Sequence, residues 1–272
     1  DATLTSGGRI DNSAGLISAQ RDLSVVDPQA AGTDPAGKTL DIVNTGGTLV
    51  ANQDLRIGAA CLSSDGTTTA GRDLGIALTQ DVVNNVDVSA GRNLSYTTAG
   101  HFTNNAKLSP GEQLTVEGRT GIDNNASGEL SGADTVVRTQ GTLNNKGLID
   151  SAGHTHIEAG TLSNTARIYG DRISVAAGTL NNGSESPDDS TVKAGVIASR
   201  TSDIDLGVGQ LNNSDGAEIS HEPDSFHCYL PAGFAPTMKP LREIVLAIQG
   251  NGALIPGTSV DLKVKGNPPN TD

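Results

Sequence analysis

The chain has 272 residues, with 31 Asp and Glu against 18 Lys and Arg, giving a formal net charge of -13, and aromatic residues make up only 2% of it, with no Trp. An acidic surface repels phosphate backbones and anionic lipid, and a chain poor in rings lacks the stacking platforms of base and sugar binders, which argues against a nucleic-acid partner. No apolar run is long enough to span a bilayer as a helix, so membrane insertion by this chain is not expected.

In chain order, residues 7–26 (GGRIDNSAGLISAQRDLSVV) set a pattern that returns along most of the sequence. Residues 27–40 (DPQAAGTDPAGKTL) interrupt it with two Pro and small residues, and predict a loop extruded from a corner. The pattern resumes at 46–59, 67–80, 81–100, 101–118, 121–140, 141–160, 160–178, 178–209 and 209–220. A second interruption, the acidic GSESPDDSTVKAG at 183–195, reads as another loop. Apolar residues alternate in short stretches, as in Leu23 and Val25, Leu55 and Ile57, Leu74 and Ile76, Leu114 and Val116. That is the period of a strand and not of a helix.

Asparagine recurs near every 20 residues at Asn44, Asn84, Asn104, Asn124, Asn144 and Asn164, with Ser64 breaking the run. A fixed period of this length means one supersecondary unit stacked on copies of itself. With 34 Gly to turn the corners, the expectation is an all-β parallel β-helix of about ten to eleven turns, roughly 50 Å long at the spacing of neighbouring strands. Stacked amides at one position per turn would bond to each other and to the corner backbone, which predicts a structural ladder. Cys61 and Cys228 fall some seven turns apart and are expected to be unpaired thiols.

His154, His156 and Glu158 alternate with Thr155 and Ile157, so they should project together from the outer face. A zinc reading is weighed against an ordinary solvated edge, and the edge is preferred; neither metal nor cofactor is expected. Asp41, Asp54, Asp73, Asp87, Asp123, Asp150 and Asp205 are scattered and not clustered, and Arg21, Arg72 and Arg92 recur at one corner as a solvated edge. A β-helical polysaccharide-degrading enzyme is therefore the rival reading, and a non-enzymatic chain the preferred one.

Residues 221–243 (HEPDSFHCYLPAGFAPTMKPLRE) differ in kind, gathering two of the three Phe, the single Met and four Pro. Phe226, His227, Tyr229, Phe234 and Met238 are the candidate partner-binding residues, with a flap against the helix as the alternative. Residues 244–272 resume the pattern as a final turn and tail.

The turns, clearest in GGRIDNSAGLISAQRDLSVV and GTLNNKGLIDSAGHTHIEAG, resemble the filamentous haemagglutinin repeats of Gram-negative two-partner secretion exoproteins, over about 220 of 272 residues. The resemblance implies a right-handed helix, export through a dedicated outer-membrane transporter, and an extracellular, cell-surface location. It also implies a role as an adhesin, or as the stalk of a contact-dependent growth-inhibition toxin of the CdiA type. The partner would then be a cell-surface receptor, protein or glycan, and the segment itself a monomer. Beginning in mid-pattern at Asp1, the chain reads as an internal part of something longer.

Overall fold

A computed structural model describes residues 1–31, 37–63, 65–184, 194–202, 204–214 and 217–221, and the strand Val260–Leu262. The strands wind into a right-handed parallel solenoid of about ten turns, in which every strand pairing is parallel and links one turn to the next. Each turn contributes a strand to each of three faces. The first face begins at Ala2–Thr5, the second at Arg9–Asp11 and the third at Leu16–Ala19. The third face is a continuous 10-stranded sheet ending at Glu218–His221. Val260–Leu262 adds a further strand to the first face, with Val260 beside Ile204. No helix among the described residues is long and apolar enough to cross a membrane.

Alternation makes this shape. Along Leu94–Thr98, for example, Leu94, Tyr96 and Thr98 are buried while Ser95 and Thr97 face outward. Register carries the pattern from turn to turn. Leu94 sits on Leu74 and beneath Leu114, and Tyr96 on Ile76 and beneath Val116, so the core is a set of columns running along the axis. Each fully buried aliphatic side chain contributes roughly 1.5–3 kcal/mol, so stability is spread evenly along the stack. Tyr96 and Phe102 meet edge to face across the interior, with ring centroids 4.9 Å apart and planes at 75°. Burial pushes the Tyr96 hydroxyl well above its ordinary pKa, and that oxygen has no hydrogen-bond partner.

The corner between the first and second faces changes along the axis. Early turns bend there, as at Ala99 and Gly100 between Leu94–Thr98 and His101–Asn104. In later turns a single strand of 11 residues, His154–Asn164 and then Arg172–Asn182, runs through both faces. The cause is one residue. Inward Val116 and Ile122, or Val137 and Leu143, are separated by one residue more than Ile157 and Leu162, or Val175 and Leu180. Removing that residue straightens the corner and merges the two faces into a 15-stranded sheet.

Both interruptions leave the turns at corners. Pro28–Ala31 forms a short 3-10 turn after the first-face strand Leu23–Val26. Asp27 is buried and its carboxylate accepts the backbone N–H groups of Gln29 (2.8 Å), Thr39 (2.6 Å) and Leu40 (2.8 Å), so one side chain closes both ends of the insertion. Those donors, Gln29 foremost, hold its pKa below the ordinary carboxylate value. The second insertion leaves between the second and third faces, and Gly195 N–H donates to the Gly183 carbonyl across its neck at 2.6 Å.

Cys61 is a free, half-buried thiol that donates to Gln80 Oε1 at 2.9 Å, and burial raises its pKa. Cys228 lies outside the described residues.

Candidate functional site

The second face carries an inner column of amides one turn apart. Asn12 Nδ2 donates to Asn44 Oδ1 at 2.7 Å. After an interruption, Asn84 donates to Asn104 (2.9 Å), Asn104 to Asn124 (3.0 Å), Asn124 to Asn145 (2.8 Å), Asn145 to Asn164 (2.8 Å), Asn164 to Asn182 (2.8 Å) and Asn182 to Asn213 (2.8 Å). The second N–H of most of these amides reaches a corner carbonyl, as Asn124 does to Leu148 and Asn145 to Arg167. All the donors point the same way along the axis, so the bonds polarise one another. The glycine that follows in the motif is a packing requirement. A Cβ on Gly128 would lie 2.3 Å from Asn124 Oδ1 and 2.7 Å from the Asn104 carbonyl oxygen.

Asn144 requires a correction. The strict period of 20 puts it on the ladder, but the structure places Asn145 there, buried, and turns Asn144 outward to donate to Asp123 Oδ1 at 2.7 Å. The reason is parity along the strand. Inward Leu143 fixes position 145 as the next inward residue, and the turn from Asn124 is one residue longer than its predecessors. Asn12, Asn182 and Asn213 also belong to the column although the fixed period missed them. The signal was present in the sequence: an apolar residue two positions before an asparagine, as in Ile10 and Asn12, Leu180 and Asn182, or Leu211 and Asn213. Ser64, where the column has no asparagine in sequence, lies outside the described residues.

A second, outer amide column runs the other way. Asn105 Nδ2 donates back to Asn85 Oδ1, and Asn125 Nδ2 to Asn105 Oδ1, both at 2.7 Å. The arginines at the corner before the first face are paired and not merely solvated. Arg21 makes two bonds to Asp1 (3.1 and 2.8 Å), Arg72 two to Asp54 (2.8 and 2.5 Å), and Arg92 two to Asp73. The Arg72 guanidinium holds the Asp54 carboxyl below the usual range, and Arg92 does the same for Asp73. These forks are one-third or more exposed, so each adds little to stability.

The outer surface of the first face holds the densest group of functional side chains. His154 Nε2 lies 2.8 Å and His156 Nδ1 2.7 Å from the same atom, Ser174 Oγ on the next turn. His156 Nε2 is 2.7 Å from Glu158 Oε1, which Arg138 also approaches at 3.3 Å through Oε2. Thr155 and Ile157 between them are fully buried. The carboxylate fixes the proton of His156 on Nε2, so Nδ1 accepts from Ser174 O–H, and the same oxygen accepts from His154 Nε2–H. Carboxylate, imidazole and hydroxyl in sequence resemble a nucleophile relay. Yet the strand N–H groups beside Ser174 are spent in parallel pairing on both sides, which leaves no donor pair for a developing oxyanion, and His154 also occupies the hydroxyl. The arrangement is poor for acyl transfer.

The candidate partner-binding residues Phe226, His227, Tyr229, Phe234 and Met238 lie outside the described residues, as does all of 222–259.

Columns of buried amides, aliphatics and outward Arg–Asp forks, repeated turn on turn, define a structural solenoid. The haemagglutinin-repeat family model matches residues 1–60, 62–106, 107–184 and 189–225, and the chain belongs to that family. The haemagglutinin repeat is a structural, adhesin-type unit of filamentous exoproteins. No curated protein and no solved structure matches the chain.

Proposed function

We propose that this chain is an extracellular filament segment of a secreted Gram-negative exoprotein, exported by a two-partner outer-membrane transporter, that holds a receptor-binding surface away from the producing cell. The observation that carries the reading is the family match across residues 1–225. A stack stitched by side-chain amides suits the task. Each turn is held by its neighbours and not by a central core, so reach grows with the number of turns at about 4.8 Å each. Recognition is drawn from residues 221–243, where Phe226, Tyr229, Phe234 and Met238 supply the anchoring side chains that the acidic turns lack. His227 supplies a polar contact among them. The receptor is a protein or glycan on a target cell, and the same segment serves an adhesin or the stalk of a contact-dependent growth-inhibition toxin.

The test is retention of the chain on bacterial and on epithelial cells, beside a variant in which residues 223–242 are replaced by a short Gly-Ser link. The expected result is that the variant keeps its β-type circular dichroism and elongated scattering profile but loses attachment. Equal attachment by the folded variant would move recognition to the turns, and attachment by neither chain to either cell type would remove the adhesive role from this segment.

A further inference from the structure

Two imidazoles on one strand are aimed at one point in space. His154 and His156 are two residues apart in His154–Asn164, so both stand on the outer side. Their ring nitrogens converge on Ser174 Oγ at 2.8 and 2.7 Å. Surface polar residues ordinarily bond to separate partners, whereas here two imidazole nitrogens share a focus. We propose that His154 and His156 form a two-point chelate for a divalent transition-metal ion that prefers imidazole, copper(II) above nickel and zinc.

Distance supports this chemistry. With metal–nitrogen bonds of about 2.0–2.1 Å and neighbouring ligands at right angles, two imidazole ring centres stand about 4.5 Å apart. The centroids of His154 and His156 are 5.8 Å apart and tilted at 57°. Side-chain rotation that carries each ring about 0.7 Å towards the other closes the difference, and the buried Thr155 and Ile157 keep the backbone between them fixed. On binding, the His154 proton passes through solvent from Nε2 to Nδ1, so the ring stays neutral while Nε2 takes the ion. Ser174 Oγ now fills the focus, and its hydroxyl turns aside or retreats to become a weak third ligand.

Glu158 strengthens the arrangement without touching the ion. Its bond to His156 Nε2 fixes the tautomer that leaves the Nδ1 lone pair unprotonated and holds the ring in orientation, as carboxylates do behind metal-bound histidines. Among the described residues no three His, Cys, Asp or Glu side chains gather as a closed ligand set. The remaining positions therefore go to water, and the ion is exchangeable and peripheral to the fold. Copper(II) heads the divalent series for nitrogen donors and accepts two imidazoles and water in a square arrangement, which places it first.

Copper(II) titration of the full chain, followed by its visible d–d band and by nitrogen hyperfine splitting in electron paramagnetic resonance, tests the proposal. The expected result is a site with two coordinated nitrogens, weakened at least about tenfold by His154→Ala or His156→Ala. Ser174→Ala, which empties the focus, should bind as well or better. Glu158→Gln should weaken binding by a smaller factor than either histidine variant. His101→Ala removes an imidazole held by Asp123 at 2.9 Å and should change nothing. All these side chains lie on the outside, and circular dichroism of each variant checks that it is folded. Undiminished binding in the double histidine variant, loss with His101→Ala, or a Ser174→Ala loss equal to that of the histidine variants would overturn the chelate.

Discussion

From Asn84 to Asn213 each buried amide hands a hydrogen bond to the next turn, whereas among the described residues no amide links Asn44 to Asn84. Among the described residues Asn84 Oδ1 is buried without a donor. At the same place the second face divides: Arg9–Asp11, Asp41–Val43 and Cys61–Ser63 form a sheet of 3 strands of their own, and Val82–Asn84 starts the next. The first and third faces cross this level unbroken, with Leu55 beneath Leu74 and Thr69 beneath Ser89. Aliphatic and small inner positions tolerate a change of neighbour because dispersion has no direction. An amide column does not, since each member needs a donor and an acceptor in line. The second face is thus the face where sequence changes are costly.

Asn124→Leu should show the largest effect. It strips the acceptor from Asn104 and the donor from Asn145 at once, and two buried polar groups left unpaired cost about 3 kcal/mol together. Denaturant unfolding should show that loss, and hydrogen exchange should place it in the neighbouring turns. An unchanged midpoint would mean that the column is ornamental.

Acid should act next, through Asp27. Its pKa is depressed in the fold, so the stabilisation it gives is present above the unfolded value, near 4, and is lost as pH falls through the folded value. Thermal unfolding followed from pH 6 to pH 2 should therefore fall more steeply for the parent than for Asp27→Ala, which starts lower. Parallel curves would show that the neck of the first insertion does not depend on the carboxylate.

Repairing the gap sharpens the comparison from the other side. Ser64→Asn restores asparagine to the repeating position of the sequence and is expected to add about 1 kcal/mol. Slower amide exchange across Val82–Asn84 would accompany it, and a loss of stability would show that the gap is closed by other means. The smallest effect is expected from Asn125→Ala. The outer column is open to water, which replaces the lost bond, and the change in stability should stay within about 0.5 kcal/mol. A loss as large as that of Asn124→Leu would erase the distinction between inner and outer amides.

The solenoid was legible because its period and its alternation state the same thing twice: Leu74 and Ile76, then Leu94 and Tyr96, then Leu114 and Val116, recur at one phase and on one parity. Counting alone failed at Asn144, where one extra residue in the turn shifted the phase while Leu143 preserved the parity. Contacts between turns were out of reach. Nothing local to Arg72 announces that Asp54 lies one turn before it, and nothing near His156 names Ser174, because those pairings depend on turn lengths that vary. Asp27 was hidden for the same reason, its three donors being divided between two ends of an insertion.

The bond between Gly195 N–H and the Gly183 carbonyl draws the second insertion together before it leaves the wall. Ile168 and Ile197 still stack in register across it, although they stand 29 positions apart in the chain. The wall therefore keeps no record of how many residues pass through that gate. A peptide of another length, spliced between the two glycines, should therefore leave Ile168 in register with Ile197.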